Sequence, residues 1–185
     1  MNLKTHDYAV KAAKEVVSIV EMIDSDDLET AYKAVLEAGS VFVAGTGRSL
    51  LMLKAFAMRL MHFGHKAHVV GETTTPAILE QDILVIASGS GETESARVFA
   101  SRAKAAGARL LVITANRDSS LAKAADELVV IPAKSKNDTS GMSWQPSGNS
   151  FEQSLLLALD GIAIAVAENG GVSLDERLKL HANLE

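Results

Sequence analysis

Two short segments rich in glycine and hydroxyl side chains are the first candidates for chemistry in this sequence. Residues 45–49 read Gly-Thr-Gly-Arg-Ser, and residues 88–93 read Ser-Gly-Ser-Gly-Glu-Thr. Glycine lets a backbone approach a ligand closely, and free N–H groups and hydroxyls at the start of a helix bind anions. Any strand-to-helix connection can use glycine for structural reasons alone. Two such loops in one short chain nevertheless favour a phosphate site.

Other catalytic and cofactor motifs find no match. Neither loop carries the third glycine of a dinucleotide fingerprint or the Gly-Lys-Ser/Thr end of a nucleoside triphosphatase loop. No His-Glu-x-x-His pair predicts a metal centre, and no nucleophile elbow predicts a serine hydrolase. The chain has no cysteine, which excludes disulfides, thiolate metal sites and a cysteine nucleophile. The residues therefore disfavour nucleotide and metal chemistry.

The composition indicates a globular domain that binds a small molecule. The chain has 185 residues, of which 48% are hydrophobic and 22% are charged, and this length suits one domain. The net charge of −5, without a block of Lys or Arg, argues against nucleic acid or an anionic membrane as the main partner. Residues 1–7 lack the plan of a secretory signal, and no window approaches the roughly 20 apolar residues of a membrane span. We expect a cytoplasmic protein.

The elements that must position the loops follow from hydrophobic patterning. Five short runs rich in Val, Ile and Leu predict strands at Ser40–Ala44, Ala67–Gly71, Asp82–Ala87, Arg109–Thr114 and Glu127–Ile131. Their apolar content is continuous, as in a parallel sheet covered on both faces. Helical spacing between them predicts helices at Leu50–Phe63 and Glu92–Ala106. The fold class is therefore α/β, a three-layer αβα sandwich with a five-stranded parallel sheet of the doubly wound, flavodoxin-like type.

The whole chain, residues 1–185, is predicted to form a single domain. It divides into N-terminal helices (1–38), the sheet with its phosphate loops (39–133), a polar loop (134–149) and C-terminal helices (150–185). In the first helix, Tyr8–Ile23, an apolar stripe of Val10, Ala13, Val17 and Val20 either covers the sheet or packs on another subunit. The polar loop is long for a compact domain, which is typical of a functional segment.

The Ser-x-Ser-Gly-Glu-Thr pattern at residues 88–93 resembles the phosphate-binding signature of the sugar isomerase (SIS) family. Other motifs make the likeness to its 6-phospho-3-hexuloisomerases specific, namely residues 45–49, 56–62, 71–76, 151–152 and 181–185. The resemblance implies interconversion of D-arabino-hex-3-ulose 6-phosphate and fructose 6-phosphate through an enediolate, in the ribulose monophosphate route of formaldehyde fixation. It implies no metal and no redox cofactor, a homo-oligomer that is a tetramer or dimer of dimers, and 3-hexulose-6-phosphate synthase as a pathway partner.

The same resemblance assigns candidate roles in substrate binding. The positions that match phosphate or sugar contacts are Gly47, Arg48, Ser49, Glu72, Thr73, Ser88, Gly89, Ser90 and Thr93. Ordinary structural roles remain open for several of them. Ser90 could cap a helix, Arg48 could form a surface ion pair, and Thr73 could belong to a capped turn before Pro76.

Glu152 matches the position of the family's proton-transferring base. Its alternative role is structural, because Ser150-x-x-Gln153 resembles a capping box and a carboxylate there would oppose the helix dipole. His62 and His181 compete for a second acid/base role. His62 could simply end a helix, and His181 follows a Ser173-x-x-Glu176 capping pattern. Another SIS isomerase and a non-catalytic sugar-phosphate sensor remain open as alternatives.

Overall fold

The computed structural model describes residues 4–133, 143–146, 148–170 and 179–180. The predicted residues His181 and Ser173-x-x-Glu176, and most of the predicted polar loop, lie outside these ranges. In chain order the elements are α1 (Thr5–Glu21), α2 (Ser25–Glu37), β1 (Val41–Gly45), α3 (Gly47–His62), β2 (Ala67–Val69), β3 (Ile83–Ala87), α4 (Glu94–Ala105), β4 (Arg109–Thr114), α5 (Ser120–Ala124), β5 (Glu127–Val130) and α6 (Asn149–Asn169).

The strands form one parallel sheet in the order β2-β1-β3-β4-β5. This confirms the predicted five-stranded parallel sheet and the α/β fold class. All five residues of β3 are buried, which explains why its sequence is apolar without alternation. In the register between β1 and β3, Gly45 lies opposite Ala87. The two strands therefore end at the same level, and the two glycine loops begin side by side.

Helices cover both faces of the sheet and create two hydrophobic cores. On one face Val43 and Val85 lie in a core with residues from α1, α2, α3 and α6, such as Phe56 and Leu159. On the other face, residues such as Leu84 pack against the alanine side of α4 and against α5. Fully burying a large apolar side chain contributes about 1.5–3 kcal/mol, so these cores supply the main stabilisation of the fold.

Helix α1 presents a different face to the core from the one that its sequence predicts. Val16 and Ile19 are its buried residues, whereas Val10 and Val17 are exposed. Of the predicted stripe, Val10, Ala13 and Val17 are exposed, whereas Val20 is half-buried and packs against the core. Periodicity correctly gives an amphipathic helix here, but two neighbouring apolar stripes share it, and packing against α6 selects the one that contains Val16 and Ile19.

Helix α6 is the longest and most apolar helix of the described part of the chain. By length and composition it could cross a membrane, with a mean hydropathy of 1.4, although the sequence was expected to hold no such segment. Its ten buried residues instead pack against α1, α2 and α3, as in the core helix of a globular domain. It begins at Asn149, which the sequence assigns to the polar loop. The short helix α5 was not predicted.

Candidate active site

The two glycine loops lie at the point where the sheet changes direction. From β1 the chain moves outward to β2 and then returns to place β3 on the other side of β1. In parallel sheets of this order, ligands bind at the carboxyl ends of the two strands that flank the change. The loops after β1 and β3 occupy that place. The topology thus supports the sequence prediction that both loops serve one site.

The loop after β3 is organised by its own hydroxyl groups. The Oγ of Ser88 and the Oγ1 of Thr93 are 2.9 Å apart, which closes the loop across its two ends. Ser88 Oγ also accepts a hydrogen bond of 3.2 Å from the Gly91 N–H. Ser90 Oγ accepts another of 3.2 Å from the Glu92 N–H. The loop therefore has a defined shape, with hydroxyls and backbone N–H groups concentrated just before α4.

Ser90 does not cap helix α4, which was the structural alternative considered for it. The N-cap of α4 is Thr93, and no side chain of the described residues caps that helix end. Ser90 closes a tight turn inside the loop instead. Uncapped N–H groups at a helix N-terminus carry partial positive charge and need a partner such as water or an anion. The start of α4 is thus open to a phosphate in the sense that the sequence anticipated.

Residues after β4, which were not among the predicted site residues, contact this loop and support it. The Glu92 carboxylate accepts a 2.7 Å hydrogen bond from the Ser120 N–H, and this bond lowers the pKa of Glu92. Gly91 has a φ of 67°, and a Cβ at Gly91 would overlap the Ser119 side chain. Glycine is required there for both reasons. The sequence could have indicated this support, because residues 115–119 follow a buried strand whose carboxyl end lies at the same edge of the sheet as the two glycine loops.

The first turn of α3 forms the opposite side of the site. The helix begins at Gly47, one turn earlier than predicted, so Arg48 and Ser49 belong to the helix. Gly47 has a φ of 56°, a left-handed conformation that favours glycine. The N-cap residue Thr46 makes no side-chain hydrogen bond to the helix. A second uncapped N-terminus therefore faces the carboxyl end of the sheet, with Ser49 half-buried within it.

Helix α6 carries Glu152 into contact with Arg48. Glu152 Oε2 lies 2.6 Å from Arg48 Nε, and the Glu152 side chain is 16% exposed, against 58% for Arg48. The predicted capping box is wrong, because the N-cap is Gly148 at φ 78° and not Ser150. Ser150 is a buried residue of the first turn. The carboxylate pairs with a guanidinium, and it also lies in the first turn of α6, where it opposes the helix dipole as the structural alternative predicted.

The phosphate loop and the start of α6 are in direct contact. A Cβ at Gly89 would lie 3.4 Å from the Phe151 ring, an ordinary van der Waals distance, so the loop backbone lies close to this ring without requiring glycine. Phe151 precedes Glu152, and it is 2% exposed. The loop after β3, the first turn of α3 and the start of α6 consequently surround one region. Ser88, Thr93, Arg48 and Glu152 contribute to it.

The remaining candidates lie in different surroundings. His62 ends α3, as predicted, and is only 7% exposed. Glu72 follows β2 and pairs with Lys54 at 3.1 Å, and Thr73 is exposed beside it. Glu72 also lines a cavity of about 300 Å³, together with Lys54 and His68, beside the loop after β2. Over the described ranges, no group of three or more His, Cys, Asp or Glu could hold a metal ion.

Residues 35–159, more than half of the chain, match the SIS domain family. The chain belongs to the SIS domain family. It is 38% identical over 185 residues to the 3-hexulose-6-phosphate isomerase of Bacillus subtilis (strain 168), covering 99% of this chain and 100% of that protein. It is 44% identical over 172 residues to the 3-hexulose-6-phosphate isomerase of Mycobacterium gastri, covering 92% of this chain and 86% of that protein.

A solved structure supports the same family at the level of the fold. The crystal structure of a hypothetical protein from Methanococcus jannaschii, whose description infers a molecular function of 3-hexulose-6-phosphate isomerase, superposes with a TM-score of 0.81. The sequences are 30% identical, and the match covers 94% of this chain and 97% of that chain. The matched SIS region contains both glycine loops, His62 and Glu152, so the candidate site lies within the family's own domain.

Proposed function

We propose that this SIS-domain protein is a 3-hexulose-6-phosphate isomerase, which interconverts D-arabino-hex-3-ulose 6-phosphate and fructose 6-phosphate. The observation that carries the proposal is Glu152, a carboxylate held 2.6 Å from Arg48 at the start of a helix that touches the phosphate loop. Relatives with that name match nearly the whole chain. An isomerase of this kind needs an anion site for the phosphate and one base within reach of a carbon-bound proton.

The chemistry moves a carbonyl group by one carbon. Glu152 takes the proton from the carbinol carbon next to the carbonyl, and an enediolate forms across these two carbons. The proton then returns to the former carbonyl carbon, while the carbinol oxygen becomes the new carbonyl oxygen. Such a base must stand within about 3 Å of the proton that it transfers. Arg48 stabilises the ionised carboxylate, and its 58% exposure leaves its outer nitrogens accessible to a sugar oxygen. No oxidant or reductant is consumed, since the redox change is internal to the sugar.

The phosphate is bound between the two helix N-termini. Ser88, Ser90 and Thr93 supply hydroxyls from the loop after β3, with the Gly89 backbone beside them. Ser49 and the Gly47 N–H contribute from the first turn of α3. The combination of hydroxyls, backbone N–H groups and two helix dipoles suits a dianion. Glu72 and Thr73 remain candidate sugar contacts at the neighbouring loop.

A second acid/base group is needed to move protons between the sugar oxygens. His62 is buried at the last residue of α3, about 21 Å along the helix from Arg48 in its first turn, so it would take this role only in a site that another subunit completes. His181 is the alternative, and it lies outside the described residues. Replacing each with Asn separates them, because only loss of the working imidazole lowers turnover without lowering phosphate affinity.

The decisive test follows carbon-bound deuterium. The purified protein is incubated with fructose 6-phosphate in deuterated water that contains a chelator, and the sugar carbons are monitored by NMR. We expect deuterium to enter the carbon next to the carbonyl and hex-3-ulose 6-phosphate to accumulate. Binding without exchange would instead indicate a sugar-phosphate sensor. Exchange on a different sugar phosphate would indicate another SIS isomerase.

Glu152→Gln is the matching variant. It keeps the shape of the side chain and removes the base, so we expect turnover to fall by at least about 100-fold, the lower end of what general base catalysis contributes. Fructose 6-phosphate should still bind, because the phosphate contacts are elsewhere. Glu168→Gln is the control, since Glu168 is an exposed residue near the other end of the same helix. Full activity of Glu152→Gln would remove Glu152 from the mechanism.

The assembly and the cellular setting are further parts of the proposal. A homo-oligomer is supported by the apolar residues that α1 leaves exposed, of which Val10 is 38% and Val17 is 53% accessible. Light scattering of the purified protein tests it. The proposal also includes a cytoplasmic location and a role in the ribulose monophosphate route, in which 3-hexulose-6-phosphate synthase would supply the substrate.

A further inference from the structure

Residues 143–146 precede α6 and lie against α1. The Trp144 ring is centred 6.0 Å from that of Tyr8, with the planes tilted by 33°. The Nζ of Lys11 lies 4.5 Å from the centre of the same Trp144 ring, a cation–π arrangement. Both partners are residues of α1. An otherwise irregular stretch of chain is thereby fixed to a helix that belongs to the core.

Gln145 makes the buried part of this attachment. It is 4% exposed, and both ends of its side-chain amide are used. Its Nε2 donates a 3.3 Å hydrogen bond to Glu15 Oε2 of α1, and its Oε1 accepts one of 2.8 Å from Asn149 Nδ2. Its backbone N–H donates to Ser143 Oγ at 3.0 Å. A side chain that needs one donor and one acceptor at the same time is well matched by glutamine.

The partner Asn149 is the first residue of α6. The helix has no side-chain cap, its N-cap Gly148 is in a left-handed conformation, and its first backbone bond joins the Glu152 N–H to the Gly148 carbonyl at 3.2 Å. Residues three apart lie on the same side of a helix, so Asn149 and Glu152 are neighbours on one face. The tether from Gln145 therefore acts on the turn that carries the Glu152 carboxylate.

We propose that Gln145 is a positioning residue that ties the first turn of α6 to α1 and so holds Glu152 in its place beside Arg48. The inference rests on the proposed isomerase function, because it assigns Gln145 to the placement of the proposed base. In the proposed role, Gln145 does not contact the substrate. It acts through Asn149 and through the orientation of the helix start.

If Gln145 only stabilised the fold, its replacement would have a different effect from the one that a positioning role predicts. Loss of a purely structural tether lowers the fraction of folded protein, whereas loss of a positioning residue lowers the turnover of each intact site. A displacement of about 1 Å at a catalytic group can cost on the order of 100-fold in rate. We therefore expect Gln145→Met, which keeps the length of the side chain and removes both hydrogen bonds, to lower kcat by roughly 10- to 100-fold. KM should stay within about threefold of the parent value.

A reciprocal exchange tests the hydrogen-bond chain directly. In Gln145→Glu, a carboxylate still accepts from Asn149 but now faces the Glu15 carboxylate, so kcat should fall. In the double variant Glu15→Gln/Gln145→Glu, the new amide at position 15 donates to the new carboxylate at position 145, and both hydrogen bonds are restored. We expect the double variant to recover to within about threefold of the parent kcat. Failure of the exchange to rescue Gln145→Glu, with the variant folded, would overturn the proposal.

Two measurements separate positioning from folding. Calorimetric titration with fructose 6-phosphate counts intact sites, and kcat is expressed per site. The Arg48 Nε–H resonance, assigned by its loss in Arg48→Lys, reports the ion pair with Glu152 independently of activity. We expect it to move toward the position of an unpaired arginine in Gln145→Met. An unchanged kcat per site, or an unchanged resonance, contradicts the role proposed for Gln145.

The same readouts keep the two proposals distinct. If the parent protein binds sugar phosphates but exchanges no carbon-bound proton, the isomerase proposal fails, and the Arg48 resonance still decides whether Gln145 positions Glu152. If Gln145→Met does not fold, the comparison of Gln145→Glu with the double variant decides it, because both retain the Asn149 bond. Isomerase activity in the parent with unaltered kcat per site in every Gln145 variant refutes the positioning role alone.

Discussion

Replacing Gly91 with alanine should loosen the phosphate loop without removing any group that contacts a ligand. Gly91 has a φ of 67°, and its added Cβ would overlap Ser119 and approach Thr114 Oγ1 to 3.0 Å. A left-handed conformation costs an L-residue about 1–2 kcal/mol. Forcing a methyl group into filled space costs about 1–3 kcal/mol more. We expect Gly91→Ala to lose roughly 2–5 kcal/mol of unfolding free energy.

Affinity should fall together with stability. The Gly91 N–H donates to Ser88 Oγ, and Ser88 Oγ also contacts Thr93, so a shifted Gly91 disturbs the hydroxyls of the cradle. The loss of one hydrogen bond to a charged ligand costs about 1.5–3 kcal/mol. Binding of fructose 6-phosphate should therefore weaken roughly 10- to 100-fold. Urea titration and calorimetry measure the two effects.

The double variant Gly91→Ala/Ser119→Gly isolates the steric part. Glycine at 119 removes the overlapping atoms and costs only a few tenths of a kcal/mol as a cap for α5. The overlap part, about 1–3 kcal/mol, should then return as a coupling energy. Gly161→Ala is the control: a Cβ there meets nothing within 4 Å, so alanine should stabilise α6 by about 0.5–1 kcal/mol. Additive effects of Gly91→Ala and Ser119→Gly would refute the reasoning.

Two further predictions concern charged groups at the other edge of the sheet. Arg109 pairs with the buried Glu127, so Arg109→Met should cost about 1–3 kcal/mol in urea titration; an unchanged midpoint would contradict this. Burial raises the pKa of Asp126, but hydrogen bonds from Lys104 and the Leu110 N–H outweigh it and hold the pKa below its usual value. Asp126→Asn should therefore destabilise the protein by less than about 1 kcal/mol at neutral pH, and the difference should disappear as the pH falls below 3.8, because a lowered carboxyl pKa contributes stability only while the group is ionised. A difference that persisted in acid would contradict the assignment.

The sheet could be predicted because its strands are buried on both faces. Apolar content alone predicts Ile83–Ala87 and Arg109–Thr114 to within a residue, since the strands of a covered parallel sheet are mostly apolar. Thr114, which is fully buried, is a polar exception. The predicted apolar stripe of α3, with Leu53 and Phe56, is also buried, although Leu51 and Met58 leave further apolar side chains exposed on the same helix. The pattern of burial determined the pattern of sequence in these elements.

Prediction failed where two local solutions compete. Helix α1 has an outer stripe with Val17 and an inner stripe with Val16, and sequence spacing cannot decide which one packs on α6. At the start of α6, Ser150 offered an ordinary cap, but Gly148 adopted a left-handed conformation and moved the helix start to Asn149. Both outcomes depend on contacts with distant segments, which local propensities do not include.

The sequence predicts which loops form the candidate site, but it does not predict which side chains of those loops contact one another. Glycines and hydroxyls after two strands are enough to predict an anion site, because the carboxyl ends of parallel strands share one edge. The ion pair between Arg48 and Glu152 joins the first turn of α3 to that of α6, and nothing in either local sequence requires it. The bond from Gln145 to Glu15 is likewise a product of the tertiary fold.

The two halves of the site are held by different parts of the molecule, and this has a kinetic consequence. The phosphate loop is supported from the sheet, through Gly91 and the Glu92 bond to the start of α5. Glu152 stands on a helix start that lacks a cap and is tied to α1 through Gln145. Changes beneath the loop should therefore act mainly on affinity, and changes in the tether mainly on turnover. If Gly91→Ala and Gln145→Met altered KM and kcat in the same ratio, the site would behave as one mechanical unit, and this division between binding and proton transfer would be wrong.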